Sequence, residues 1–115
     1  MSIQDQPLSE AAYQILLALV DEPRHGLGVA AEVEARTGGR VVLGAGTLYS
    51  AFRRMREDGW LRDVENPSNG GEPRRRYLEL TEAGRTVLAS EARRLETLVA
   101  DARVKQVLPG HAAGG

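Results

Sequence analysis

The stretch from Gly44 to Leu61 sets the tightest limit on what this chain can fold into. Leu48, Phe52 and Met55 recur at i, i+4 and i+7, which is one apolar stripe of an α-helix and no face of a strand. Thr47, Ser50 and Arg54 share a polar face, with Tyr49 and Arg53 beside it. Gly59 supplies the stop, because glycine enters the left-handed conformation past a helix end at little cost. Such a helix buries one face and presents hydroxyls at its front and guanidinium groups behind them. That arrangement suits a helix whose N-terminus enters a DNA groove, where hydroxyls hold phosphates and arginine pairs with guanine. Any amphipathic surface helix carries charge on its outer face, however, so the flanking segments have to decide.

Upstream, Ser9 is a candidate N-cap for a first helix. Ala12, Ile15, Leu16, Leu19 and Val20 keep its 3.6-residue period to about Asp21. Pro23 and Gly26 punctuate a turn, and Leu27, Val29, Ala30 and Val33 fit a second helix ended by Gly38-Gly39. Arg40 to Leu43 is a short connector. Downstream, Trp60 to Glu65 roughly alternates as a strand does, and Asn66 to Pro73 is turn chemistry. Arg76, Leu78 and Leu80 line one face of a second strand, with Arg75, Tyr77 and Glu79 on the other. A two-stranded hairpin is marginal alone, so Leu61, Val64, Leu78 and Leu80 are expected to pin it to the helices. Thr81 can cap a last helix from Glu82 to about Leu108, in which Leu88, Ala92, Leu95, Val99 and Ala102 recur at helical spacing.

Three helices, a hairpin and a long helix form a winged helix-turn-helix arrangement, mainly α with a small β-hairpin. We expect a winged helix-turn-helix DNA-binding domain over residues 8–80, a C-terminal dimerisation helix over 81–108, and flexible tails at 1–7 and 109–115. The last helix would run about 40 Å at roughly 1.5 Å per residue, longer than a three-helix core covers. Its stripe calls for another partner, and a second copy of the chain is the simplest one. The dimerisation candidates are Ile15, Leu19, Leu88, Leu95, Leu98, Val99 and Ala102.

Other chemistries find little support. There is no cysteine, hence no disulfide or thiolate metal site, and His25 and His111 lie too far apart in sequence to read as a metal pair. No glycine loop precedes a lysine, and Gly44-Ala-Gly46 lacks the preceding strand and third glycine of a dinucleotide fingerprint. We therefore expect no enzyme, no cofactor and no metal. No apolar run is long enough to cross a bilayer, so a cytoplasmic protein without membrane contact is expected. The net charge of -1 argues mildly against nucleic acid. Distribution counts for more than the sum, and arginines cluster at Arg53-Arg54-Met55-Arg56 and Arg74-Arg75-Arg76.

These segments carry a resemblance. Pro23-Arg24-His25-Gly26 precedes the second helix, and Gly46-Thr47-Leu48-Tyr49 opens the third. Arg53, Glu57-Asp58-Gly59-Trp60-Leu61, Arg74-Arg75-Arg76-Tyr77 and Leu80-Thr81-Glu82-Ala83-Gly84-Arg85 follow in order. Together they resemble the PadR family of bacterial transcriptional regulators, in its short form with one C-terminal helix, from Leu8 to about Leu95. The resemblance implies a homodimeric repressor on a two-fold symmetric operator, usually near its own gene. Departures are instructive. Gly44-Ala45 stands where many members have Ser-Pro, and Leu78 where a second tyrosine is usual. Members that bind flat aromatic drugs carry an aromatic on the last helix, and this chain has none from Glu82 to Leu108. A small-molecule effector is left open, its identity unassigned, with a stacking site disfavoured.

The DNA-binding candidates are Gly46, Thr47, Tyr49, Ser50, Arg53, Arg54, Arg74 and Arg75. Backbone N–H groups of Gly46, Thr47 and Leu48 would meet a phosphate at the positive end of the helix. Thr47 and Tyr49 would anchor the same region, and the resemblance points to Tyr49 in particular. Ser50, Arg53 and Arg54 would reach base edges, and Arg74 and Arg75 would serve the wing, whose tip is Asn69-Gly70-Gly71. Each has a plainer alternative. Arg53 or Arg54 would pair with Glu57 or Asp58, Tyr49 would pack on the first helix, and one of Arg74 to Arg76 would bridge to an acid. His25 reads as a capping or packing residue and Trp60 as a core residue at the strand start. The competing function is a winged-helix protein-interaction module without DNA binding, which the near-neutral charge favours slightly.

Overall fold

The computed structural model describes residues 7–65 and 76–109. Four helices and three short strands follow in the order α1 (Glu10–Ala18), β1 (Arg24–His25), α2 (Gly26–Arg36), α3 (Ala45–Glu57), β2 (Leu61–Val64), β3 (Tyr77–Leu80) and α4 (Glu82–Val104). The winged helix-turn-helix expectation is met: α2 and α3 are the helix pair, and β2 and β3 are the wing strands.

Side chains fix the helix starts. Ser9 Oγ accepts from the Ala12 N–H at 3.0 Å and caps α1. His25 Nδ1 accepts from the Gly28 N–H at 3.1 Å and caps α2, the capping role expected of it. Thr81 Oγ1 accepts from the Gly84 N–H at 3.0 Å and caps α4. α1 stops at Ala18, short of the expected Asp21. Its end is closed by distant arginines: Arg24 Nε donates to the Ala18 carbonyl at 2.8 Å and Arg85 Nη2 to that of Val20 at 2.9 Å. Cations there oppose the negative end of the helix.

α3 ends in a Schellman turn, with the Trp60 N–H on the Met55 carbonyl at 2.8 Å and the Gly59 N–H on that of Arg56 at 3.0 Å. The turn needs a left-handed residue, and Gly59 takes it at φ +80°. α4 ends the same way, at Val104 rather than near Leu108. Gln106 takes φ 65°, and the Val107 N–H reaches the Ala102 carbonyl at 2.9 Å. Pro109 disfavours helix at the residue before it, so the chain leaves the helix ahead of the proline.

The sheet differs from the expected hairpin. It has three strands in the order β1-β3-β2, with β3 central and both pairings antiparallel. Leu61, Arg62, Asp63 and Val64 stand opposite Leu80, Glu79, Leu78 and Tyr77, while Arg24 and His25 oppose Leu78 and Tyr77. β1 gives hydrogen-bond partners to the edge of β3 that a lone hairpin would leave bare. The His25 ring meets Tyr77 edge-on, with centroids 5.3 Å apart.

One core joins the four helices, β2 and β3. Ile15, Leu16, Ala18 and Leu19 come from α1 and its end, Val29 and Val33 from α2, and Leu48, Phe52 and Met55 from α3. Leu61, Leu78 and Leu80 come from the sheet and Leu88 from α4, with Trp60 packed partly buried against them. The wing is thus held by the leucines expected to hold it, while Val64 is only half-buried. Burying a side chain such as Phe52 contributes about 1.5–3 kcal/mol.

This core corrects part of the dimerisation set. Ile15, Leu19 and Leu88 are buried within the single chain and have next to no surface to offer a second one. Leu95 and Ala102 are half-buried, and Leu98 and Val99 are exposed. The periodicity of α4 had merged two environments into one stripe. Among the described residues, no helix is long and apolar enough to cross a membrane.

Candidate nucleic-acid interface

Burial of Leu48, Phe52 and Met55 decides where every other side chain of α3 points. Gly46, Thr47, Tyr49, Ser50, Arg53 and Arg54 are all exposed, so the six candidates on this helix share its outer surface. Arg74 and Arg75, with the expected wing tip at 69–71, lie outside the described residues.

The front of α3 is bare. Gly44 caps it without a side-chain hydrogen bond, and the Leu48 N–H donates to the Gly44 carbonyl at 2.9 Å. That bond corrects one expectation, since the Leu48 N–H is already used. The N–H groups of Ala45, Gly46 and Thr47 precede the first intrahelical bond and have no partner within the helix. A Cβ built at Gly44 or Gly46 meets nothing within 4 Å, so no described side chain crowds these two positions at the front of the helix.

The arginines divide sharply. Arg36 bonds Glu32 and Gln14, Arg40 bonds Glu10, and Arg62 bonds Glu79. Arg94 grips Glu91 through two bonds, 3.0 and 2.6 Å long, and Arg103 caps the Pro109 carbonyl. Arg24 and Arg85 close α1 as described. Arg53 and Arg54, by contrast, bond no other described residue, and the alternative of pairing with Glu57 or Asp58 is not realised. Arg93 on α4 is the other arginine of this kind among the described residues. Two adjacent guanidinium groups without a partner among the described residues make a local positive field on the outer face of α3 of a nearly neutral chain.

Arg56 was not singled out from the sequence. Its Nε lies 3.0 Å from Asp63 Oδ1 on β2, and Arg76 Nη1 lies 3.5 Å from Asp63 Oδ2. One carboxylate therefore ties α3 to the base of the wing. Arg76 plays the part expected of one wing arginine, a bridge to an acid. The missed signal was the seven-residue step from Arg56 to Asp63 across the Gly59 turn, which returns the chain beside α3.

Tyr49 packs against the start of α2. Its ring meets Phe52 edge-on at 5.7 Å, and its hydroxyl covers Gly26, where a Cβ would lie 2.8 Å away. It keeps 53% of its surface exposed. Tyr49, Phe52 and Arg56 line one side of a cleft of about 520 Å³, and His25, Gly26, Leu27, Arg76 and Leu78 line the rest. The cleft runs between α3, the start of α2 and the sheet. No group of three or more described His, Cys, Asp or Glu residues is placed to hold a metal ion.

The model of the transcriptional regulator PadR-like family matches residues 15–90. The chain belongs to the PadR-like family. That family is one of transcriptional regulators, and solved structures of similar proteins share the fold. A PadR-like transcription factor from Bacteroides fragilis is 26% identical, with 85% of this chain and 89% of that one aligned at a TM-score of 0.66. The PadR-like regulator BC4206 of Bacillus cereus has the same fold at 19% identity, with 88% and 93% covered and a TM-score of 0.70. Among curated sequences, a 37.1 kDa protein of uncharacterised role in transposon Tn4556 of Streptomyces fradiae is 36% identical over 90 residues. That match takes in 78% of this chain but 24% of the Streptomyces protein, so the PadR-like unit spans about a quarter of that relative.

Proposed function

We propose that this PadR-like protein is a homodimeric, sequence-specific DNA-binding regulator. In this reading it represses transcription from a two-fold symmetric operator near its own gene, in the cytoplasm. The observation that carries the proposal is the outer face of α3. Its front turn offers N–H donors that no helix carbonyl or side-chain cap takes, beside Thr47, and its body offers Arg53 and Arg54 without a partner among the described residues. Phosphates would take the helix N-terminus and the hydroxyls of Thr47 and Tyr49, and base edges would take Ser50, Arg53 and Arg54. Arg74 and Arg75 would add backbone contacts from the wing. Dimerisation is supported by the exposed Leu98 and Val99, continued by the half-buried Leu95 and Ala102, on an arm of α4 beyond the core.

Two recognition helices in such a dimer would enter successive major grooves, about one helical turn apart. The test is fluorescence anisotropy on a labelled duplex from upstream of the protein's own gene, against a scrambled duplex, at two salt concentrations. Tight binding that prefers the upstream duplex and weakens steeply with salt is expected. No binding to either duplex at low salt would move the assignment to a protein-interaction module.

A further inference from the structure

We propose that Thr81 and Gly84 are positioning residues that fasten the first turn of α4 to the exit of α3, so that the setting of α4 fixes where the recognition helix stands. The inference rests on the dimeric reading above. It adds the place in the chain through which one helix governs the other.

α3 hands over to β2 at Gly59-Trp60, and both carbonyls of that turn are taken by one residue. Thr81 Oγ1 donates to the Gly59 carbonyl at 2.6 Å, and the Thr81 N–H donates to the Trp60 carbonyl at 3.0 Å. The same hydroxyl accepts the Gly84 N–H that caps α4. A single threonine therefore closes the start of α4 and holds the end of α3.

Gly84 sets the distance between them. It is buried, and a Cβ there would stand 2.3 Å from the Trp60 carbonyl oxygen, 3.1 Å from the Trp60 carbonyl carbon and 2.8 Å from Leu80 Cδ1. The first two obstacles are backbone in a hydrogen-bonded turn, which cannot swing aside as a side chain does. Glycine inside a helix is otherwise the costlier choice beside alanine, so close approach and not chain freedom accounts for it here. Arg85, one residue on, reaches the Val20 carbonyl at 2.9 Å, so the first turn of α4 is also tied to the end of α1.

The exposed Leu98 and Val99 lie further along the same helix, about 20 Å from the joint at roughly 1.5 Å per residue. A second copy that grips this arm acts on α3 through a joint without slack. Ordinary close packing of two helices would give a stability cost on substitution and nothing more. A positioning role also moves the two recognition helices relative to each other.

The chain has no cysteine, so Glu57→Cys at the exposed end of α3, outside the proposed DNA contacts, gives one nitroxide label per protomer. Pulsed electron double resonance on the full chain then reads the separation of the two recognition helices. The labelled parent is compared with Gly84→Ala and, separately, Thr81→Val. A methyl group needs roughly 1 Å more room than the contact allows, so Gly84→Ala is expected to shift the mean separation by about 2 Å across the dimer. Thr81→Val keeps the shape but loses the bonds to Gly59 and Gly84, and is expected to broaden the distribution.

Circular dichroism confirms that each variant is folded. If Gly84→Ala does not fold, the width measured with Thr81→Val decides. Folded variants with the parent's mean and width, even with lower thermal stability, overturn the inference and leave the dimer standing. A parent with no interspin distance overturns the dimer and the inference together. A parent with a clear distance but no affinity for DNA overturns the proposed function and leaves the joint supported by whatever shift is seen.

Discussion

α3 and α4 are both amphipathic helices, yet they leave opposite faces uncovered. The apolar stripe of α3 is consumed by its own core through Leu48, Phe52 and Met55, and what remains outside is polar and cationic. α4 uses only its first half in the core, through Gly84, Leu88 and Glu91, and what remains outside further on includes Leu98, Val99 and Val104. The contrast separates two kinds of partner. A free guanidinium face gains from an anion, and a free apolar face gains from another apolar face. Within one small chain, the first suits a nucleic-acid backbone and the second suits a protein.

The largest expected effect breaks the shared support of both helices. Phe52→Ala removes a fully buried ring from the core and should cost about 3–5 kcal/mol in denaturant unfolding. A loss below about 1 kcal/mol would mean that α3 is not seated by this stripe.

Next comes the apolar half of the comparison. Leu98→Asp with Val99→Asp should abolish the dimer in sedimentation at micromolar concentration while leaving the helical content intact, since both residues lie outside the core. An unchanged sedimentation coefficient would place the interface elsewhere. The cationic half is tested by Arg54→Ala, which should relax discrimination between operator and mismatched duplex by about 1–3 kcal/mol. The same change at Arg36, already held by Glu32 and Gln14, should leave discrimination unchanged.

A smaller effect concerns the middle of α4, where its buried half gives way to its exposed half. The Arg94 guanidinium bonded to Glu91 holds its carboxyl below the ordinary value of 4.5, and burial opposes this less strongly. A carboxylate whose folded pKa is depressed contributes stability above its unfolded pKa, and that contribution fades as pH falls through the folded value. Thermal stability should therefore drop below about pH 4.5 more in the parent than in Glu91→Gln. At neutral pH the same substitution should cost about 1–2 kcal/mol, because it weakens a charge-assisted pair. Identical acid profiles would show that the pair adds nothing.

The sequence disclosed the helices, the caps Ser9 and Thr81, the Gly59 stop and the leucines under the wing. Each of these is local chemistry or a period that one helix or strand displays by itself. β1 was not legible, because two residues have no period and their pairing with β3 is set from across the chain. The ties from Arg24 and Arg85 to α1 were hidden for the same reason: an arginine's partner is a matter of tertiary placement. The dimerisation set failed at Ile15, Leu19 and Leu88, since a stripe reveals that a face is covered but not by what. The six α3 candidates were readable as exposed because three buried positions leave the others nowhere else to point. That Arg53 and Arg54 have no partner among the described residues had to come from the structure.

The most direct test of the central claim is the salt dependence of binding to the upstream duplex, compared between the parent, Arg53→Ala/Arg54→Ala and Arg93→Ala. All three arginines lack a partner among the described residues, but only the first two are on α3. The double variant should lose its preference for the upstream duplex. If either arginine also meets a phosphate, the slope of log affinity against log salt becomes shallower by roughly 0.9 per lost contact. Arg93→Ala should match the parent in both respects. Equal losses from Arg93→Ala, or none from the double variant, would contradict the assignment of the outer face of α3 to DNA.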